Sequence, residues 1–500
     1  MNYNSHLIQK QICKPHAVCE NQPVSRTSAF LVVLVVWAVI YLPALGSLAI
    51  KGEEGRRILP AVRMLETGNY IVPQVGSNPY FRKPPLVNWL VAASFKIFGV
   101  RNEWTVRLPS AFMVLAVAIA FVTVARESIG PCGSIIAALI WLTSIGIIVK
   151  GRLIEIEALY ISLFGLAIIF WLSCWIQKKS AWLIWIPASI FLGLGLLAKG
   201  PTHLIFFYAI VLAVLWQTKS WRLLYHPAHV VALAIMLAIF AAWAVPFAKS
   251  TNTHVALAVW STQLNNRLEG VDFKFFSWIQ NIPRGLIFFL PWVLLFPLMQ
   301  FSKFHDEAQQ RLARGLAWGI AAPFVAVNLV PGAVARYSMP VIIPASWLIA
   351  MAYVENALQW PPKWTRTDQD KVRVVAVFVG LGIAIGAIGY PLAAVILRNR
   401  QQVKKAAADI NALVPDNETL YAVNPDYQPV FFYVKAPIKY VNRVKALPVG
   451  THYFLVQTDN EQEATTTQKW APQRAHQLAR IQDYHLREMI FFKVGPLNEH

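Results

Sequence analysis

Long apolar runs separated by short charged links set the pattern of this chain. A helix that crosses a bilayer needs about 20 mainly apolar residues. Runs at 29–50, 108–125, 134–149, 158–176, 181–198, 202–216, 230–248, 285–300, 315–330, 339–354 and 374–397 meet or approach that length. They predict a mainly α, polytopic membrane protein with about eleven transmembrane helices. The first run is long for the apolar core of a signal segment and ends without a small-residue cleavage motif, so it reads as a retained anchor. Segment 86–99, LVNWLVAASFKIFG, is apolar but short and carries Lys96. That combination predicts a re-entrant or interfacial helix rather than a span. Beyond residue 400 the pattern changes. QQVKKAAADINALV has helical spacing, and TLYAV, IKYV, HYFLVQ and MIFFKV read as short strands, so 398–500 is expected to form a small α/β domain.

Composition agrees with this division. Hydrophobic residues make up 56% of the 500 and charged residues 14%, against about half apolar and a quarter charged in soluble domains. The net charge of +20 would suggest nucleic acid in a soluble protein. Here the basic residues alternate with the spans, as cytoplasmic loops require. With the N-terminus inside, those loops carry Lys10, Lys14 and Arg26, then Arg126, Lys178–Lys179, Lys219 and Arg222, then Lys303, Arg311 and Arg314, and last Lys363, Arg366, Lys371 and Arg373. Counting 86–99 as a span would move the later basic loops outside. The expected organisation is a cytoplasmic tail at 1–28, a transmembrane domain at 29–397 whose first external loop is 51–107, and an external domain at 398–500. Nucleic acid is excluded as the partner. The four cysteines show no metal-ligand spacing.

Cations on the external side break that charge rule and become candidates for function. They are Arg56, Arg57, Arg82, Lys83, Arg152, Lys199, Arg267 and Arg336. Snorkelling or local ion pairing accounts for any one of them singly. Convergence of several onto one cavity would suit a phosphate, with Arg as a fork and Lys as a point charge. The matching acids are Glu53, Glu54, Glu155 and Glu157. Glu54 and Glu155 could simply pair with Arg56, Arg57 or Arg152, whereas Glu53 could act as a general base toward an acceptor hydroxyl. The loop aromatics Tyr80, Phe81, Trp89, Trp104 and Trp260 suit sugar stacking, and interface anchoring explains most of them equally well.

The loop string GEEGRR…LETGNYIVPQVGSNPYFRKPPLVNWL…RLPS resembles the first external loop of the aminoarabinose lipid A transferase and protein O-mannosyltransferase family, within the C-type glycosyltransferase superfamily. GRLIEIEAL, GLGLLAKGP, the Pro-Trp of FFLPWVLLFP and RYSMPVIIP match further family segments in order, so that the likeness covers about residues 30–350. The resemblance implies an enzyme of the bacterial inner membrane that moves a sugar from a polyprenyl phosphate, commonly undecaprenyl phosphate, to a periplasmic acceptor: lipid A, another glycan or a protein. Position by position, it puts Glu53 on the family's catalytic Asp, Glu54 on the acid beside it and Glu157 on the second-loop acid, which makes Glu53 and Glu157 the expected catalytic residues. Arg56, Lys83, Lys199 and Arg336 fall on the family's basic positions, and with Glu54, Tyr80, Arg82 and Arg267 they are the expected substrate- and phosphate-binding set.

Three departures limit the analogy. Glu53 stands where Asp is usual, Arg82 stands where aminoarabinose transferases tend to have Glu, and AVWSTQLNNRL lacks the Glu-His pair that precedes their counterpart of Arg267. That pair is linked to a metal in those relatives, so no metal ligand is assigned here and the cofactor is left unknown. A lipid-linked-sugar flippase and a non-catalytic lipid-binding relative are the alternatives. A flippase predicts repeated halves with broken helices, and no such repeat stands out.

Overall fold

A computed structural model describes residues 24–76, 78–270, 273–361, 367–398, 402–425, 428–466, 474–482 and 488–495. Most of the expected cytoplasmic tail lies outside them. By contacts the chain divides into two compact units, one comprising 1–43, 82–84 and 108–391, the other 44–81, 85–107 and 392–500. The helix Glu103–Thr123 begins in the second and continues into the first.

Helices dominate the chain, with a small sheet region near the C-terminus. Among the described residues seven helices are long and apolar enough to cross a membrane: Glu103–Thr123, Ile156–Ile176, Ala181–Ala198, Pro227–Ser250, Glu307–Leu329, Ala335–Val354 and Asp368–Arg398. Phe275–Ile287 and Trp292–Leu298 form a further pair bent by 88°. Arg26–Tyr41 and Thr202–Gln217 are apolar but shorter. The first helix stops at Tyr41 rather than near residue 50, where Pro43, which has no N–H, cannot continue the hydrogen-bond ladder. The run 134–149 is divided into helices Arg126–Thr143 and Ile145–Lys150 by an extended Ser144.

In the first unit, small residues allow helices to approach closely. A Cβ on Gly319 would lie 2.6 Å from the Cα of Ile210, and one on Gly315 would lie 2.8 Å from the Cα of Val214. Arg152, one of the cations that break the charge rule, is fully buried. It donates to the carbonyls of Ile40 and Pro43, beyond which the first helix cannot supply partners, and to Gly386 at 2.8 Å. Its guanidinium also lies 3.9 Å from the Tyr390 ring centroid. Arg152 is therefore a structural cation that satisfies buried backbone carbonyls.

The second unit holds a five-stranded sheet. Strands β1 (Gln74–Val75) and β2 (Asn78–Pro79) form a small separate hairpin. The sheet is made of β3 (Leu420–Val423), β4 (Ile438–Val441), β5 (Tyr453–Gln457), β6 (Ala475–Gln482) and β7 (Glu488–Val494), in the order β4-β3-β5-β7-β6. The first three pair in parallel, whereas β7 runs antiparallel to both β5 and β6. One apolar cluster joins Leu59, Val75 and Tyr80 of the first loop to Ile410, Phe431, Tyr440 and Phe491. Segment 86–99 forms helix Leu86–Phe98 in this unit, and Phe95 stacks on Phe432 with centroids 6.2 Å apart. The Tyr433 hydroxyl accepts from the Ile50 N–H at 2.8 Å and donates to Glu103 at 3.0 Å. Burial pushes its phenol well above the ordinary tyrosine value.

Candidate functional site

Glu53 and Glu54 occupy one 3-10 turn, Gly52–Glu54, at the entrance to helix Gly55–Thr67. Their adjacent positions send the two carboxylates in different directions. Glu53 is partly exposed and accepts from Arg56 Nη1 with both oxygens, at 2.7 and 3.0 Å. Arg57 Nη2 lies 3.9 Å from the same carboxylate, and Arg57 Nη1 reaches the Tyr80 hydroxyl at 3.4 Å. The Asn88 amide donates to the Arg57 carbonyl at 2.8 Å and so ties helix Leu86–Phe98 to the turn of helix that carries both arginines. Glu53, Arg56, Arg57 and Tyr80 thus form one cluster, in which a carboxylate is oriented by guanidinium groups.

Glu54 goes inward. Its side chain is fully buried and is held by Arg107, a residue outside the candidate set drawn from the sequence. Glu54 also accepts from the Lys51 N–H at 3.2 Å. The available signal for Arg107 was a cation set inside an otherwise apolar helix, which is rarely tolerated without a partner.

A second cluster lies in the other unit. Glu157 stands in the first turn of helix Ile156–Ile176 and accepts from Arg336 Nε at 3.0 Å. Lys199, at the C-terminal cap of helix Ala181–Ala198, places its ammonium 3.8 Å from the same oxygen. That ammonium lies between two rings, 4.7 Å from the centroids of both Tyr160 and Tyr337. The three residues come from separate stretches of sequence, as a convergent site requires. Glu155, two residues earlier, pairs with Lys150 at 2.5 Å.

Of the remaining candidates, Lys83 donates to Gln263 Oε1 at 3.2 Å. Arg82 is exposed. Arg267 lies on helix Thr253–Glu269, and its side chain is not among those described. Among the described residues there is no group of three or more His, Cys, Asp or Glu side chains able to hold a metal ion.

The family described as dolichyl-phosphate-mannose-protein mannosyltransferase matches residues 82–245. The crystal structure of ArnT from Cupriavidus metallidurans bound to undecaprenyl phosphate superposes with a TM-score of 0.71 at 17% identity, covering 94% of this chain and 99% of that one. The chain has the ArnT fold. In sequence it is 25% identical, over 345 residues, to the undecaprenyl phosphate-alpha-4-amino-4-deoxy-L-arabinose arabinosyl transferase 2 of Pseudomonas fluorescens, a match that covers 66% of this chain and 61% of that protein. The corresponding protein of Proteus mirabilis is 24% identical over 375 residues, which cover 74% of this chain and 66% of that one. The match therefore spans about three-fifths of the Pseudomonas protein's length. The chain resembles the aminoarabinose transferase and protein mannosyltransferase family of C-type glycosyltransferases. Glu157 and Lys199 fall within the stretch matched by the mannosyltransferase family.

Proposed function

We propose that this protein is an integral-membrane glycosyltransferase that moves a sugar from undecaprenyl phosphate to an acceptor on the periplasmic face of the bacterial inner membrane. The observation that carries this reading is the convergence of Lys199 and Arg336 on Glu157, within a fold shared with a structure of ArnT bound to undecaprenyl phosphate. The names of the curated relatives support the same donor class.

The residue roles follow from charge. Lys199 and Arg336 neutralise negative charge as it grows on the departing lipid phosphate, electrostatic stabilisation at the point where the transition state needs it. Glu157 holds the two cations in a fixed relation. Lys83 adds a point charge, and Arg82 and Arg267 contribute further positive potential to the same substrate. Glu53, partly exposed and oriented by Arg56, orients or deprotonates the attacking acceptor hydroxyl. Tyr80 and the buried Glu54 keep that turn in register.

The topology belongs to the same proposal. The seven long helices, the bent pair, Arg26–Tyr41, Arg126–Thr143 and Thr202–Gln217 give eleven crossings. Helix Leu86–Phe98 lies at the interface, tail 1–28 is cytoplasmic, 29–397 is the transmembrane domain, and both 51–107 and 398–500 are periplasmic.

Purified protein reconstituted with a radiolabelled undecaprenyl-phosphate sugar and candidate acceptors tests the reading. Transfer to lipid A, another glycan or a protein is expected, and it should fall sharply in Glu53→Gln. If sugar moves to no acceptor while the lipid-linked donor crosses the bilayer, a flippase replaces the enzyme. Mass spectrometry of lipids and glycoproteins from cells with and without the protein would then identify the acceptor class.

A further inference from the structure

Gln263 is the partner of Lys83, and its side chain holds more than that one contact. A lysine ammonium only donates, so the amide oxygen must face Lys83 and the amide nitrogen must point away from it. That nitrogen is buried and, among the described residues, has no hydrogen-bond partner. A buried N–H donor without an acceptor is costly, which makes Nε2 a place where a ligand oxygen would be accepted favourably. The oxygen and nitrogen of one amide lie ~2.2 Å apart. With Lys83 Nζ at 3.2 Å from the oxygen, the lysine and amide donors are close enough for a single acceptor atom to bridge them. An acceptor held by an ammonium and an amide N–H together is best supplied by an anionic oxygen.

We infer that Gln263 is a substrate-binding residue whose amide N–H, beside the Lys83 ammonium, holds a phosphate oxygen of the polyprenyl phosphate. The inference rests on the function proposed above and adds to it a neutral donor in a helix otherwise marked only by Arg267. Gln263 both keeps the lysine in place and completes the anion's hydrogen bonding without adding charge.

Equilibrium binding of undecaprenyl phosphate and of undecaprenol to the full-length protein in detergent tests it. Wild-type protein should prefer the phosphate. Gln263→Met should weaken phosphate binding roughly tenfold and leave undecaprenol binding unchanged. The same substitution in a Lys83→Met background should still weaken phosphate binding, because the amide bonds the anion directly. Loss of the effect in that background would overturn the inference and leave Gln263 as a positioning residue for Lys83. An unchanged phosphate affinity in Gln263→Met would overturn it outright. Should the Met variant fail to fold, Gln263→Glu replaces the donor with a repelling carboxylate, and retention of wild-type affinity by that variant would be equally fatal. If wild-type protein did not distinguish the two lipids, the phosphate-binding function would fall together with the inference.

Discussion

Glu54 and Arg107 form a two-point ion pair with neither side chain exposed: Nε meets Oε1 and Nη2 meets Oε2, both at 2.9 Å. The guanidinium also donates to the carbonyls of Leu45 and Leu48 at 2.9 Å and of Ala49 at 3.2 Å. One side chain thus fixes the path of 45–49 and the turn that carries Glu53. Removing one partner of a buried pair costs about 3–5 kcal/mol. Arg107→Met should be the worse substitution, because it orphans three carbonyls as well as the carboxylate. Glu54→Gln keeps a polar partner and should cost less. Replacing both with apolar residues should not rescue the protein, since the carbonyls stay unsatisfied. Thermal unfolding in detergent would rank the three, and recovery of stability in the double variant would refute the anchoring role of Arg107.

Glu53 should behave in the opposite way. It is partly exposed, so its ion pair with Arg56 adds little stability. Glu53→Gln is expected to melt close to the wild type and to lose about 10²–10⁴ in turnover, the usual contribution of a positioned base. Glu53→Asp restores the residue usual in the family but shortens the reach by a methylene. A misplacement of about 1 Å costs around 100-fold, so the Asp variant should be impaired as well. A fully active Gln variant would remove Glu53 from the chemistry, and a fully active Asp variant would show that the reach of the carboxylate is not critical. Turnover measured at saturating donor separates the two outcomes.

Glu157 binds Arg336 and Lys199 through one oxygen. Glu157→Gln releases two cations from a shared anion. Their arrangement loosens while their net charge is less neutralised. Turnover should therefore fall, whereas the released carrier, undecaprenyl phosphate, should bind at least as tightly as before. A rise in its dissociation constant would mean that Glu157 contributes to binding mainly by preserving structure. Product-inhibition kinetics with undecaprenyl phosphate provide the measurement.

Tyr433, from the segment that carries the sheet, bonds to Ile50 and Glu103 within one unit. Burial raises its folded-state pKa, whereas an unfolded tyrosine ionises near 10. The contribution of Tyr433 is therefore fully present below about pH 10 and is lost as pH rises toward its elevated folded value, because only the unfolded chain can release the proton. Tyr433→Phe should be less stable at neutral pH, and the gap to wild type should narrow above pH 10. Parallel melting curves over that range would show it, and a constant gap would contradict the assignment.

Much of this was legible in the sequence, and the failures have identifiable causes. Apolar runs located the seven long helices, because bilayer crossing leaves a strong length and composition signal. Helix ends were less visible, since Pro43 and Ser144 act locally. Four of the five strands in the C-terminal sheet were legible as short apolar, β-branched or aromatic runs. β6 was not, because AHQLARIQ is an edge strand with polar residues on both faces. The positive-inside rule picked out Lys199 and Arg336 as exceptions, and they converge on Glu157. The same rule also picked out Arg152, whose partners are backbone carbonyls that carry no sequence signature. Sequence could not tell which of Glu53 and Glu54 faces inward, because that depends on Arg107, more than fifty residues away.

Gly76 and Gly68 offer a matched test of how the first loop is held. Both have positive φ, +60° and +71°, so alanine at either carries a backbone penalty of roughly 1–2 kcal/mol. Their surroundings differ. A Cβ on Gly68 meets nothing within 4 Å, whereas one on Gly76 would fall 2.1 Å from the Tyr440 ring. Tyr440 belongs to the apolar cluster that joins Val75 and Tyr80 to the sheet and is itself buried there, so the ring has little freedom to withdraw. Gly68→Ala should therefore lose about the backbone penalty alone, with protease sensitivity of the loop unchanged. Gly76→Ala should lose clearly more and expose the β1–β2 hairpin to cleavage. Equal effects from the two substitutions would mean that the hairpin does not pack on Tyr440. Limited proteolysis with mapping of cuts near residues 74–79, alongside melting temperatures, distinguishes the outcomes.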